Sequence, residues 1–500
     1  MNTVKTIWSG YSVSYSGMST AQRSLGVTSS NLSNTNTEGY SRKRAVSEEV
    51  YSADGTPTGI GANVQSILRI RNQFLDLQYR QQNTQTGYSQ GKSALLENLQ
   101  EVVNEFNAPK GETDTGLQQT ITDFFKSWTE LSKDPSSPSA KSSVLETANS
   151  LLGTFDEIST TLKTFRESMV DNVRDSVKDV NTLASKIAEL NQQIMEAETH
   201  NVEASDLRDA RDLMIDKVSA IVNVTTSEQN NGTVNVYVNG VSLVNGNRAR
   251  EMEATGIGIP GNLVKVQWKD LGMDVSLTGG SLKAYMEEAD PTGVDAIVIT
   301  TTPPPDPKIV PYNWETTANK SALTTLTNGL SDLMVTIAAA VNNIYNPTQA
   351  AGQDFFTNIT TGTHIGLRNV QVNPTYADYT KIKANSDGTA GNNDVSKKIG
   401  AVLNDGQDFE CDGITMNLGT FYSSVISWMG TAGDTAMAEA NTQSGLLTQL
   451  DGQRKDVSSV SQDEEMSTML TYQHAYSASA RVMNVVDTLV AGLIADLGGR

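Results

Sequence analysis

Three histidines, one cysteine and one glycine-rich run are the residues of this 500-residue chain with the most obvious chemical potential. His200, His364 and His474 stand far apart, with no partners at metal-ligand spacing. Neither H-E-x-x-H nor C-x-x-C occurs. Cys411 is alone, so no internal disulfide can form, which argues against a secreted domain built on cross-links but not against secretion itself. Gly87 to Ser93 reads G-Y-S-Q-G-K-S and resembles a phosphate loop. It is one residue short between its glycines and lies in a helical pattern with no strand before it, so it reads as a polar break in a helix with Lys92 solvated. Asp463, Glu464 and Glu465 suggest a cation site. At the first turn of a helix, however, carboxylates complement the helix dipole. Asp387-Gly388 and Asn392-Asn393-Asp394 lack calcium-loop spacing and its terminal Glu, and read as a turn. His474 reads as a partly exposed packing residue. No catalytic residue, cofactor site or metal site is expected, and the chain does not read as an enzyme.

The elements around these residues are mainly helical. Over residues 8 to 32, Tyr11, Met18, Leu25 and Leu32 recur every seven positions, with Trp8 and Tyr15 on the alternate seam, continued in polar form by Gln22 and Ser29. A loop from Asn34 to Gly39 follows and ends in Gly39-Tyr40. Helical patterns are expected from Ser66 to Phe106, from Leu117 to Leu131 (stopped by Asp134-Pro135), from Ser142 to Glu198 and from Ser205 to Val222. The Ser142–Glu198 helix has apolar residues spaced by threes and fours from Phe155 to Ile194. Such a rod is unusual for a compact enzyme. The period then changes to two. Val234, Val236 and Val238 alternate with Asn235 and Tyr237, and Asn231-Gly232, Asn239-Gly240 and Asn245-Gly246 supply hairpin turns. Residues 291 to 318, with Thr300-Thr301-Thr302-Pro303-Pro304-Pro305, read as a loop or excursion. Helix returns from Leu323 to Tyr345, mixed structure spans 350 to 430, and a last helix runs from Gln462 to Leu497. That helix opens on a Ser461/Glu464 capping box. Met466, Met469, Tyr476, Ala480, Met483, Val490, Ile494 and Leu497 form its seam, interrupted by Gln473 and Asp487.

Lys and Arg total 37 and Asp and Glu total 57, a net charge of −20. Nucleic acid and anionic membranes are therefore poor partners, because phosphate binding needs clustered cations. The single basic run, Arg42-Lys43-Arg44, reads as a solvated or interface patch. No unbroken apolar run approaches the ~20 residues of a membrane span, and the N-terminus lacks a signal-peptide core.

Two stretches carry a resemblance. Ser16-Gly17-Met18 through Asn31-Leu32-Ser33-Asn34 and Thr37-Glu38-Gly39-Tyr40-Ser41-Arg42 resembles the N-terminal signature of the flagellar axial family of rod, hook and hook-associated proteins. The Gly-Tyr-Ser-Arg ending is nearer the hook-associated members. Val460-Ser461-Gln462-Asp463-Glu464-Glu465-Met466 through Tyr472-Gln473-His474-Ala475-Tyr476 to Val482 resembles the closing helix of the same family. Arg208-Asp209-Ala210-Arg211-Asp212, Asp354-Phe355-Phe356 and Val370-Gln371-Val372-Asn373-Pro374 resemble its body. Residues 250 to 320 match no known pattern.

The resemblance implies an extracellular structural part of the bacterial flagellum, at the junction between hook and filament. It implies type III export without signal cleavage, self-assembly in a ring or tube, contact with hook protein and hook-associated protein 3, and a cytoplasmic export chaperone on the C-terminal helix. The expected fold is α+β and multidomain: paired N- and C-terminal helices in a coiled coil (1–65 with 455–500), a long-helix bundle (66–225 with 320–454) and an inserted β-rich outer domain (226–319). The expected assembly interface comprises Tyr11, Tyr15, Met18, Leu25, Asn31, Leu32, Asn34, Gly39, Tyr40, Met466, Met469, Tyr472, Gln473, Tyr476, Met483 and Val490. Two seams so thin would leave both ends frayed in a free monomer. Another axial protein is the nearest alternative. A secreted enzyme or adhesin would need a site in 231–320, where only hairpins and loops are read.

Overall fold

One helix of 60 residues organises the body of this mostly helical protein. The computed structural model describes residues 2–51, 59–105, 116–200, 203–256, 264–289, 321–348, 350–359, 367–389, 391–403, 409–411 and 414–498. Phe106 and the 291–318 segment with its Thr-Pro run lie outside these residues.

The chain begins with α1 (Asn2–Ser33), then an antiparallel hairpin of β1 (Lys43–Tyr51) and β2 (Gly59–Arg69). Helices α2 (Gln73–Glu105), α3 (Leu117–Lys133), α4 (Pro138–Ala197) and α5 (Ser205–Ile221) follow. Helix was expected from Ser66, but Ser66 and Ile67 belong to β2. The reason is pairing: Ile67 lies opposite Ala45 in the hairpin. Helix α2 starts only where the Asn72 side chain accepts hydrogen bonds from the amides of Phe74 (3.0 Å) and Leu75 (3.4 Å).

Helix α4 starts at Ser137, whose hydroxyl accepts from the Ala140 amide, with Pro138 next. Its 60 residues make a rod about 90 Å long. Its buried side chains recur in threes and fours, and they serve two cores. Val144 to Leu162 pack with α3, α7 (Ala322–Tyr345), α8 (Asp394–Ala401) and the start of α9 (Leu418–Ser458). Phe124, Trp128, Tyr345, Phe355 and Phe356 form an edge-to-face cluster at the centre of that core. The motifs Asp354-Phe355-Phe356 and Val372-Asn373 close over it. Asn342 accepts from the amides of Phe355 and Phe356, and Asn373 donates to the Asp354 carbonyl.

The second half of α4, Met169 to Ile194, packs on α5, on α6 (Ser281–Glu288) and on the strands β3 (Thr225–Glu228), β4 (Val234–Val238), β5 (Val241–Asn245), β6 (Arg248–Ala249), β7 (Met252–Thr255) and β8 (Lys265–Trp268). Strands β3 to β6 form one antiparallel sheet, and β7 pairs with β8. Asn239 and Gly240 both adopt positive φ at the β4–β5 turn, as the Asn-Gly signal predicts. Two asparagines of α4 hang the strands on the rod. Buried Asn191 takes the Val234 amide on its Oδ1 and donates to the carbonyls of Val234 and Gly246; Asn181 grips Met252 in the same way. The described strands of the β-rich region therefore share a core with α4 and α5.

Two further expectations are corrected. Gly87 and Gly91 make no break: α2 runs through them. Gly87 backs onto the Ala220 carbonyl, which any Cβ there would strike, and Gly91 faces Ala284. Their four-residue spacing is that of close helix packing. Mixed structure was expected to 430, yet α9 begins at Leu418. Its first three turns bury Leu418, Phe421, Tyr422, Val425 and Met429 at helical spacing, and small residues such as Gly433, against the Gln100 side chain, follow.

The last helix is α10 (Gln462–Gly498). A stretch within Leu418–Ala495 is long and apolar enough to cross a membrane, with only 6% of that stretch buried. The sequence reading missed it because scattered Ala, Gly, Val and Leu supply the apolarity without an unbroken run.

Candidate assembly interface

Helices α1 and α10 pack along each other, and the pairing is antiparallel. A methyl group on Gly10 would sit 3.4 Å from Val486, and one on Gly17 would sit 2.8 Å from the Ser479 hydroxyl. Asn31 bonds Glu465 at 3.1 Å. Small and polar residues line the buried stripe of α1: Ser14, Ala21, Ser24, Thr28 and Asn31, with Val27 beside them. With Gly17 they step by threes and fours, the spacing of a coiled-coil seam. The sequence reading followed the large apolar residues and placed the seam one step around the helix. Tyr11 and Tyr15 are instead exposed, while Met18, Leu25 and Leu32 flank the stripe half-buried.

On α10 the expected positions divide similarly. Met469, Tyr472, Met483 and Val490 are half-buried toward α1. Met466, Gln473 and Tyr476 are exposed, as is His474. Glu465 and Val486, which were not singled out, are the buried members. Val482, Val485, Leu489 and Ile494 stand in the open, each more than half exposed.

Asn31 ties the two termini to the hairpin. Its Nδ2 donates to the Lys43 carbonyl (2.9 Å) and to Glu465 Oε2, while its Oδ1 accepts from the Lys43 amide (3.0 Å) and the Tyr40 hydroxyl (2.9 Å). Arg42 completes the latch. Its side chain donates to Glu465 (2.8 Å) and Glu464 (2.9 Å), and its amide donates to the Ser458 carbonyl (2.8 Å). Two of the acidic trio, Glu464 and Glu465, therefore meet Arg42 of the basic run, while also sitting at a helix N-terminus. Burial pushes the Tyr40 phenol up from its ordinary range, so it stays protonated and able to donate to Asn31. Asn34 caps the end of α1 by donating to the Ser30 carbonyl (2.9 Å). Gly39 turns the chain at positive φ against Leu213, where a side chain would be strained.

Behind the latch lies an ionic cluster that joins the terminal module to the body. Asp209, Asp212 and Asp216 share one face of α5. Arg69 at the end of β2 reaches Asp209 (3.0 Å), Asp212 (2.9 Å) and Glu203 (3.1 Å). Arg71 bridges Asp76 (2.8 Å) and Asp212 (3.1 Å). Arg80 of α2 and Arg454 of α9 both hold Asp216, at 2.7 and 2.6 Å. Ser41 bonds Asp209 and Lys43 bonds Asp206. Burial alone would raise the Asp212 carboxyl, but Arg71, Arg211, Arg80 and Arg69 outweigh it and hold the group far below the ordinary carboxylate range. Arg211, almost fully buried, donates to the Gly232 carbonyl at 2.7 Å. The carboxylates of α5, Asp209 and Asp212 of the R-D-A-R-D motif with Asp216 one turn on, thus act as the socket in which the hairpin, α2 and α9 are seated.

Asp387 accepts from the Thr389 amide and Asn392, as a turn residue does. The geometry provides a paired, latched helical stem with apolar residues facing outward.

Three family models match the chain. One for the helical domain of flagellar hook-associated protein FlgK spans residues 103–356. One for flagella basal body rod protein spans residues 12–40, and one for the C-terminal region of flagellar basal body rod FlgEFG proteins spans 457–494. The last two cover α1 and α10. The chain is 27% identical over 514 residues to flagellar hook-associated protein 1 of Bacillus subtilis (strain 168), covering 96% of each chain. It is 25% identical over 552 residues to the protein of that name in Escherichia coli (strain K12), covering 96% of this chain and 98% of that one. Its fold is similar to that of the flagellar hook junction protein FlgK from Burkholderia pseudomallei, with a TM-score of 0.56, 14% identity, 77% of this chain and 100% of that chain covered.

Proposed function

The chain belongs to the flagellar hook-associated protein FlgK family, and from that premise we propose that it is the structural subunit joining hook to filament in the bacterial flagellum. The observation that carries this reading is the stem itself. Residues from both ends of the chain meet at Asn31, Arg42 and Glu465, while Val482, Val485, Leu489 and Ile494 remain uncovered within one molecule. Apolar side chains in such a row need a partner. Neighbouring copies in a ring or tube supply it, and this also accounts for a helix apolar enough to span a membrane.

The stem of 1–65 with 455–500 acts as the assembly domain, 66–225 with 320–454 as a helical spacer and 226–319 as the outer part. Hook protein lies beneath and hook-associated protein 3 above. A cytoplasmic chaperone covers α10 before type III export, which proceeds without signal cleavage. Between the outward apolar residues the stem also exposes Ser12, Gln22, Ser29, Gln473, Ser477 and Asn484, and such polar faces suit a channel through which unfolded chains pass without sticking.

Deletion of the gene tests the role. Hooks without filaments, with unpolymerised flagellin shed into the medium, are the expected outcome; normal filaments would overturn it.

A further inference from the structure

The chain carries the dipeptide Asn-Gly at Asn231, Asn239, Asn245 and Asn328. The pair is chemically weak, because glycine has no side chain to shield its amide nitrogen from the carboxamide of the preceding asparagine. Whether that nitrogen attacks depends on what holds it. Asn328-Gly329 lies inside α7, where the helical ladder engages the Gly329 amide. The Gly232 amide donates to the Gln229 carbonyl (3.0 Å), and the Gly232 carbonyl accepts from Arg211 (2.7 Å). Asn231 Oδ1 is itself occupied by the Thr233 amide (3.2 Å) and hydroxyl (2.7 Å). The Gly246 amide donates to Asn235 Oδ1 (2.8 Å), and the Gly246 carbonyl accepts from Asn191 (2.7 Å).

Asn239-Gly240 differs from these three. Val238 pairs with Val241, so the two residues are the whole turn, with Asn239 at φ 45° and Gly240 at φ 84°. Both are exposed, and the space around Gly240 is open. Among the described residues neither the Gly240 amide nor the Asn239 carboxamide makes a hydrogen bond. Ring closure requires the Asn239 backbone to leave its left-handed conformation. At a tip, only the last rung of the β4–β5 ladder has to yield for that. Local opening of this kind costs far less than global unfolding.

We propose that Asn239 is a site of spontaneous deamidation in the folded protein, and that Asn231, Asn245 and Asn328 are protected. The Gly240 amide nitrogen loses its proton and bonds to Asn239 Cγ. The Cγ–Nδ2 bond breaks, and Nδ2 leaves as ammonia with that proton. The product is a cyclic imide, which water then opens. Cleavage between Cγ and the Gly240 nitrogen gives aspartate. Cleavage between the main-chain carbonyl carbon and that nitrogen gives isoaspartate, with one extra carbon in the backbone. Solvent water is the sole co-reactant. Either product places a negative charge on the turn, and isoaspartate also lengthens a two-residue loop whose geometry matches the twist of its strands. The modification concerns the β4–β5 hairpin and is independent of the junction reading.

The test is ageing of the purified full-length chain in warm, mildly alkaline buffer, read residue by residue by peptide mass spectrometry. In the folded chain the amide-to-acid mass gain is expected at Asn239 roughly tenfold faster, or more, than at the other three asparagines, a ratio set by local against wider opening. In urea all four convert at similar rates, because the bonds that distinguish them are gone. An intact Asn239 in the folded chain once the urea sample has converted overturns the assignment. So does conversion of Asn231, Asn245 or Asn328 in the folded chain at the rate of Asn239. Isoelectric focusing gives a second reading. A more acidic form is expected to grow in with age in the parent and to be lost in Asn239→Gln, because glutamine closes its larger ring far more slowly. Appearance of that form in the variant at the parent's rate also overturns the assignment.

Discussion

Asp212→Ala lowers the stability of the folded body by about 3–5 kcal/mol, the cost of leaving buried charge without its partner. The substitution removes the carboxylate shared by Arg69 and Arg71, with Arg211 and Arg80 close by. Four guanidinium groups then face one another in a largely dry pocket, with Asp209, Asp216, Asp76 and Glu203 left to balance them. Thermal or urea unfolding of the purified monomer measures the loss. Asp387→Asn, at an exposed turn, is the control and leaves the transition where it was. The pH dependence has a definite sign. The folded-state carboxyl of Asp212 titrates far below its unfolded range, so its stabilisation is complete above about pH 5 and is lost progressively as pH falls through the unfolded range to the depressed folded value. The gap between variant and parent therefore stays constant from neutral pH down to about pH 5 and narrows only in stronger acid. A gap already closing near neutrality would show that burial outweighs the arginines and raises the Asp212 carboxyl, contrary to the socket described here.

Asn31→Ala acts on the stem instead of the body. It removes four hydrogen bonds at once and leaves the Lys43 backbone groups and one oxygen of buried Glu465 unpaired. The expected cost is about 2–3 kcal/mol, set by the buried groups left without partners. It falls on the α1–α10 pair alone, because the ionic cluster still holds the hairpin. Hydrogen exchange on the monomer reads this directly. In the parent, residues near the latch, 24–31 and 465–472, are protected, while 9–20 and 476–495 exchange fast because their apolar flanks are uncovered. In the variant the latch region joins the fast class and the body is unchanged. Strong protection of the distal ends in the parent, or unchanged protection at the latch in the variant, contradicts this picture.

Part of this architecture is legible in the residues alone. The long rod announces itself because Phe155 to Ile194 recur at helical spacing, and Asn239-Gly240 announces its turn because positive φ is costly for other residues. The terminal pair is readable as two seams, but not its inner stripe. Ser14, Ala21, Ser24 and Thr28 carry little apolar weight, so periodicity follows the larger Tyr11, Met18 and Leu25 to the wrong edge of the helix. Helix α9 is legible in its first three turns, where Leu418, Phe421, Tyr422, Val425 and Met429 recur at helical spacing, and hides beyond them, where Gly433 and Ala436 pack by closeness and not by bulk. The latch and socket are legible in composition but not in pairing. Arg42 with Glu465, or Arg69 with Asp212, are long-range partners whose meeting depends on the whole chain fold. The motif Arg208 to Asp212 shows that charge is spaced along one helix, yet says nothing of which arginines fill it.

The most direct measurement is electron cryomicroscopy of isolated hook–filament complexes from cells making this chain. The expected result is a layer of its subunits between hook and filament, with α1 and α10 paired antiparallel from Asn31–Glu465 to Gly10–Val486 and their outer faces covered by neighbouring copies. Absence of the chain from the junction, or its presence there with α1 and α10 apart, would contradict the assignment.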